Sequence, residues 1–172
     1  TAGVQQVFLQ GGFPQWFEFF VNNGRIEIWS AATCSPRIIG HTGASIITAG
    51  TWHHIAYATN GSGNSFYIDG VPVSVTYSSG NATTNSFFNQ CGAVAGTGYR
   101  IGRATSATEY FDGDIDEARI YNRRLTDADI AALYAYTGGD LPCNAAHAGV
   151  MLYNTDEHVL QYCNSTDWID AG

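Results

Sequence analysis

Apolar and polar residues alternate in short runs along most of the chain, and the runs are cut by Gly, Asn and Pro. A period of two marks a strand with one face buried. The clearest run is "WFEFFVNNGRIEIWS" at 16–30. Asn23-Gly24 suits a two-residue type I′ turn, in which both central residues need positive φ. Around it, Phe17, Phe19 and Val21 share one face, and Ile26 and Ile28 are their expected cross-strand partners. "RII" (37–39) and "SIIT" (45–48) read as a second pair around "GHTGA". "TWHHIAYAT" (51–59) is the next strand, turned by "NGSGN" (60–64) into "SFYID" (65–69), and Gly70 leads into "VPVSVTY" (71–77). A polar stretch at 78–98 follows, with Cys91 as its expected anchor. "YRIGR" (99–103) and "FDGDIDEARIYN" (111–122) complete the strand set.

One segment changes period. Thr126 can cap "DADIAALYAY", with Asp127 and Asp129 in the first turn and Ile130, Leu133 and Tyr134 at i, i+3, i+4 spacing. This predicts a short helix near 127–136, ended by "TGGDLP". After Cys143 the texture shifts to two short strands around Asn154–Glu157 and a Trp-bearing tail. The expected organisation is a β-sandwich over 1–142 and a hairpin appendage over 143–172.

Composition sharpens this. The 172 residues suffice for one domain with a real core, and 45% are hydrophobic against 13% charged, which excludes a disordered acidic tail. The net charge of −8 argues against nucleic acid and anionic membranes. All seven basic residues are Arg, so Schiff-base chemistry has no lysine to use. No apolar run is long enough to span a bilayer. Cys34, Cys91, Cys143 and Cys163 include no C-x-x-C pair, which disfavours a zinc ribbon or redox motif. Four cysteines in a Gly/Asn-rich β chain favour two disulfides and an oxidising compartment. Of the three possible pairings, Cys34–Cys91 with Cys143–Cys163 is preferred, because the second pair brackets a compact C-terminal hairpin. Sequons stand at Asn60, Asn81 and Asn164.

The ordered run "TWHHIAYATNGSGNSFYIDGVPV", "YRIGRA" and "YFDGDIDEARIYNRRLTDADIAALYA" resembles the laminin G-like jelly-roll domains of the concanavalin A-like superfamily. Trp52-His53-His54, Asp69-Gly70, Ile101-Gly102, Phe111-x-Gly113-x-Ile115-Asp116-Glu117 and Arg119–Arg123 carry it. The resemblance implies an all-β fold of two antiparallel sheets, an extracellular, cell-surface or fibre-surface location, and a core position for Trp52. It also implies further strands ahead of "QQVFLQGG", about 40 residues in length. The gap would be filled by the C-terminal hairpin, by a strand from a neighbouring copy, or by a piece found elsewhere. "YNTDEHVLQYCNSTDW" is also similar to short hairpin modules of bacterial surface and phage fibre proteins.

Candidate chemistry centres on Asp112, Asp114 and Asp116, placed at every second position. Retaining glycosidases need two carboxyls about 5–5.5 Å apart, and i, i+2 spacing on a strand could supply that. Yet D-G-D-I-D-E lacks Glu at the nucleophile and acid positions of glycosidase relatives. Calcium takes hard oxygen donors, and the resemblance implies Asp116 as a ligand, with Asp114 a further candidate; the alternative is that Asp112 and Asp114 are solvated and Asp116 or Glu117 pairs with Arg119, Arg123 or turn backbone. Adjacent His53 and His54 face opposite ways on a strand, and no G-x-S-x-G elbow exists. Tyr99, Tyr110 and Trp168 are the expected exposed aromatics. The expected function is non-catalytic recognition or adhesion with a glycan or extracellular protein as partner. A fibre or filament subunit completed by neighbouring copies is second, and a glycosidase third.

Overall fold

The computed structural model describes residues 4–12, 14–60, 63–87, 91, 98–104, 109–135, 143, 151–154 and 159–170. The chain divides into two compact units, Thr1–Tyr134 and Ala135–Gly172. In the first, a six-stranded antiparallel sheet contains β1 (Val4–Gly12), β2 (Gln15–Asn22), β3 (Arg25–Ser30), β4 (Ile39–His41), β8 (Thr76–Ser79) and β9 (Tyr99–Ile101), in the order β8-β4-β3-β2-β1-β9. A three-stranded sheet contains β5 (Ile55–Asn60), β6 (Gly63–Ile68) and β7 (Val71–Val73) in chain order. The second unit holds β10 (Met151–Asn154), β11 (Val159–Cys163) and β12 (Trp168–Asp170), also antiparallel.

The β2–β3 hairpin forms as the Asn-Gly signal requires. Asn23 and Gly24 have φ of 50° and 71°, and the register pairs Phe19 with Ile28 and Val21 with Ile26. Asp69-Gly70 repeats the device between β6 and β7, with φ of 51° and 77°. Gly70 has a second constraint: a Cβ there would meet the Tyr134 side chain at 3.1 Å.

The two sheets of the first unit face each other across Phe17, Ile26 and Ile28 on one side and Phe66 and Ile68 on the other. Tyr57 and Phe66 meet edge to face with centroids 5.2 Å apart, and both rings reach Phe19. The Cys34–Cys91 disulfide lies buried in this core, anchoring the polar stretch through Cys91. Alternation turns Ala58 and Tyr67 to the opposite face, where helix α1 (Asp127–Ala135) packs through Ile130, with Leu125 beside it. The helix start is a reciprocal capping box: the Asp129 amide donates to Thr126 Oγ1 at 3.1 Å, and the Thr126 amide donates to Asp129 Oδ2 at 2.8 Å. In the second unit Cys143 is bonded to Cys163.

Four expectations are corrected. "SIIT" (45–48) is not a strand; the amides of Ile46 and Ile47 both donate to Gly24 O, so it folds over the tip of the first hairpin. β4 pairs instead with β3 and β8. "VPVSVTY" splits at Ser74-Val75 and crosses from the small sheet to the large one. Residues 111–122 contain no strand: the Phe111 amide reaches Gly102 O at 2.8 Å, and the chain then joins no ladder. Finally, Trp52 is 67% exposed rather than core, because the ladder of β5 begins only at Ile55. The helix-ending Gly/Pro stretch, the turn at 155–157, His147 and His158 lie outside the described residues.

Candidate functional site

The hairpin register carries a polar-aromatic cluster onto the outer face of the six-stranded sheet. It pairs Glu18 with Trp29, Phe20 with Glu27 and Asn22 with Arg25, while β4 adds His41 opposite Glu27. These residues alternate with the core-facing Phe17, Phe19, Val21, Ile26 and Ile28, so they share the other face. Phe20 is buried beneath Trp29, edge to face at 5.7 Å, whereas the Trp29 indole is 43% exposed. That indole is held in place: Trp29 Nε1 donates to Glu27 Oε2 at 3.2 Å, and Asn22 Nδ2 donates to Glu27 Oε1 at 3.1 Å. Glu27 is thus a buried carboxyl group with a hydrogen-bond donor on each oxygen, which offsets part of the cost of removing it from water.

Glu18, on the other side of Trp29, is different. Burial, with the Glu109 charge adding, pushes its carboxyl up to about 7. At neutral pH this group exchanges readily between donor and acceptor. A flat aromatic surface beside carboxyl, amide and imidazole groups suits a polyhydroxylated ligand, whose C–H faces stack and whose hydroxyls need both donors and acceptors. His41 Nδ1 is turned to the Thr42 carbonyl at 2.9 Å, which leaves Nε2 as its outward nitrogen.

Asp112, Asp114 and Asp116 sit elsewhere, all exposed, on the stretch that follows the Phe111–Gly102 hydrogen bond. Asp116 Oδ1 accepts the Glu117 amide at 2.8 Å, and Glu117 pairs with Arg119. Among the described residues, no three His, Cys, Asp or Glu side chains are grouped as a metal site. His53 and His54 lie just before β5 rather than on a strand. The imidazole of His53 meets Asp69 Oδ2 through Nδ1 at 2.9 Å and accepts the Thr48 amide at Nε2 at 3.2 Å, tying the 43–51 loop to the β6–β7 turn. His54 stacks loosely near Tyr134, and burial lowers its pKa. Tyr99 and Tyr110 are exposed as expected, at 63% and 52%, while Trp168 is half-buried.

Sequence reasoning passed over Glu18, Glu27 and Trp29. The signal was present: with Asn23-Gly24 as a two-residue turn, Glu18 must stand opposite Trp29.

No curated protein matches the chain. A solved structure of an S-layer domain-containing protein from Clostridium thermocellum is 22% identical, with a TM-score of 0.37, over 78% of this chain and 64% of that one. The chain therefore spans less than two thirds of that structure's length. A family profile of the concanavalin A-like lectin/glucanases superfamily matches residues 1–131, over two facing antiparallel sheets and one capped helix. By that match the chain belongs to the laminin G-like family of the concanavalin A-like lectin/glucanases superfamily.

Proposed function

We propose that this chain is a non-catalytic, extracellular recognition or adhesion module, and that its ligand is a glycan seated on the outer face of the six-stranded sheet. The observation that carries this is the Trp29 indole, 43% exposed yet locked by Glu27, beside the Glu18 carboxyl. A rigid aromatic plane offers contact area at little entropic cost. The two disulfides fit an oxidising compartment. Among the described residues no helix is long and apolar enough to cross a membrane. The charge of −8 fits a neutral or basic partner better than a nucleic acid.

The test is a glycan array probed with the wild-type chain and Trp29→Ala. Binding should be lost in the variant while its circular dichroism is unchanged; equal binding by both proteins removes the reading. Asp114 and Asp116 are the residues to test for calcium. Within this reading, millimolar calcium raises the melting temperature and EDTA reverses it. An unchanged melting temperature takes the ion out of the proposal.

A further inference from the structure

Two carboxyls flank the exposed Trp29 indole, and they are held differently. Glu27 receives a donor on each oxygen, from Asn22 and from Trp29 itself. Glu18 stands directly opposite Trp29 and is half-buried, yet it has no hydrogen-bond or ion-pair partner among the described residues. Its oxygens are not sealed from solvent, in contrast to Nη1 of Arg100. A polar group taken largely out of water without a partner carries a cost that an incoming donor removes.

The charges around Glu18 decide which donor fits. β1, on one side, has no titratable side chain. Beyond it, β9 sets Arg100 opposite Leu9, which is itself opposite Glu18. That is two strand spacings, or about 10 Å. Next to β9, Arg103 pairs with Tyr110 across a single bridge, and Glu109 follows in the same turn. On the other side, β3 places Glu27 diagonally across the pair, about 7–8 Å away. Arg25 is opposite Asn22, four residues along β2 and about 13 Å distant. His41 on β4 is opposite Glu27, a further strand away. The effects that raise the Glu18 carboxyl are burial first and the Glu109 charge second, and no base is among them. Both penalties fall on a carboxylate with no cation beside it. An ammonium relieves both, whereas a ligand hydroxyl leaves the second in place.

We infer that Glu18 makes this face selective for a cationic glycan, one with free amino groups, whose ring stacks on Trp29 while its ammonium pairs with the Glu18 carboxylate. The inference rests on the glycan reading proposed above and adds the charge of the ligand. An N⁺–H···O⁻ bond is roughly twice as strong as a neutral one. The net charge of −8 adds attraction at long range for a polycation. An acidic glycan is the poorer fit, because Arg100 has one guanidinium nitrogen shielded from solvent and lies two strands from Glu18.

The probes are a β-1,4-linked N-acetylglucosamine tetrasaccharide and its fully de-N-acetylated counterpart, which share a backbone and differ in charge. Each is titrated into the whole chain by calorimetry at about pH 6, where the amine is charged. The amino form should bind about fivefold or more tightly than the acetylated form, and about 0.5 M salt should shrink that ratio. Glu18→Gln should bring the two affinities within about twofold of each other, and Glu109→Gln should lower the ratio by a smaller factor. Trp29→Ala should lose both ligands. Pairing forces Glu18 to give up its proton, so calorimetry in buffers of different ionisation enthalpy should show wild type releasing close to one more proton per bound amino ligand than Glu18→Gln. Equal affinity of the two oligomers for wild type, or an amino preference that survives Glu18→Gln, overturns the inference and leaves the glycan reading standing. Binding of neither oligomer also overturns it, and the glycan array then judges the reading by itself.

Discussion

Replacing Glu18 by Gln isolates one carboxyl whose surroundings the fold has altered. Its ordinary value of 4.5 is raised to about 7 by burial and, to a lesser degree, by Glu109. The folded state therefore holds a proton that the unfolded chain releases. Its contribution is fully present below about 4.5, declines as pH rises, and is gone above about 7. At about 1.4 kcal/mol per tenfold, the rise corresponds to ~3 kcal/mol, and partial exposure discounts this to ~2 kcal/mol. In Glu18→Gln the side-chain amide stays neutral throughout and loses nothing. The variant should thus be close to wild type at pH 5 and about 2 kcal/mol more stable relative to it at pH 8, which is ~4–8 °C in melting temperature for a chain of this size. Thermal melts of both proteins at half-unit intervals between those limits give the comparison, and titration of all other groups cancels in the difference. Glu109→Gln should recover a smaller part of the same effect. Parallel melting curves for wild type and Glu18→Gln across the whole range would refute the reasoning, since the carboxyl would then titrate alike in the folded and unfolded chain.

Phe66 is fully buried at the junction of the sheets, so Phe66→Ala should cost about 3–5 kcal/mol by urea denaturation. A loss under 1 kcal/mol would mean the sheets do not meet there. Thr126→Ala removes the acceptor for the Asp129 amide and should cost ~1 kcal/mol, with Thr126→Ser nearly neutral. Backbone hydrogen bonding from Thr126 leads the effects that hold Asp129 below its ordinary value, and Arg123 assists. That part of the stability is present above the ordinary carboxylate range and fades as pH falls through the lowered value, so Asp129→Asn, which removes the titrating carboxylate, should be less stable than wild type at neutral pH and converge on it in acid melts. Cys143→Ser with Cys163→Ser removes the cross-link over a separation of 20 residues and should destabilise the second unit by ~3 kcal/mol. Hydrogen exchange at β2 and β6 in the first unit should be unchanged.

Much of the local structure follows from short-range rules. Asn23-Gly24 sets a hairpin and its register because few other residue pairs accept two positive φ values, and that register alone puts Glu18 opposite Trp29. Thr126 and Asp129 determine where the helix starts, since each satisfies the other's free amide. The alternation of Phe17, Phe19, Ile26 and Ile28 declares a buried face without reference to what covers it. What covers it is a tertiary matter. "VPVSVTY" reads as one strand, but only the spacing of two stacked sheets makes it cross from one to the other at Ser74. "FDGDIDEARIYN" has strand-like alternation and forms no strand: Tyr121 packs against the Ala58–Tyr67 cluster, but the main chain of the stretch enters no ladder, and pairing is decided by tertiary placement. The family resemblance implies a core position for Trp52, yet it is exposed because the ladder starts three residues later. The raised Glu18 carboxyl depends on how much water the folded sheet excludes and on Glu109, far away in sequence; both are properties of packing that no local pattern encodes.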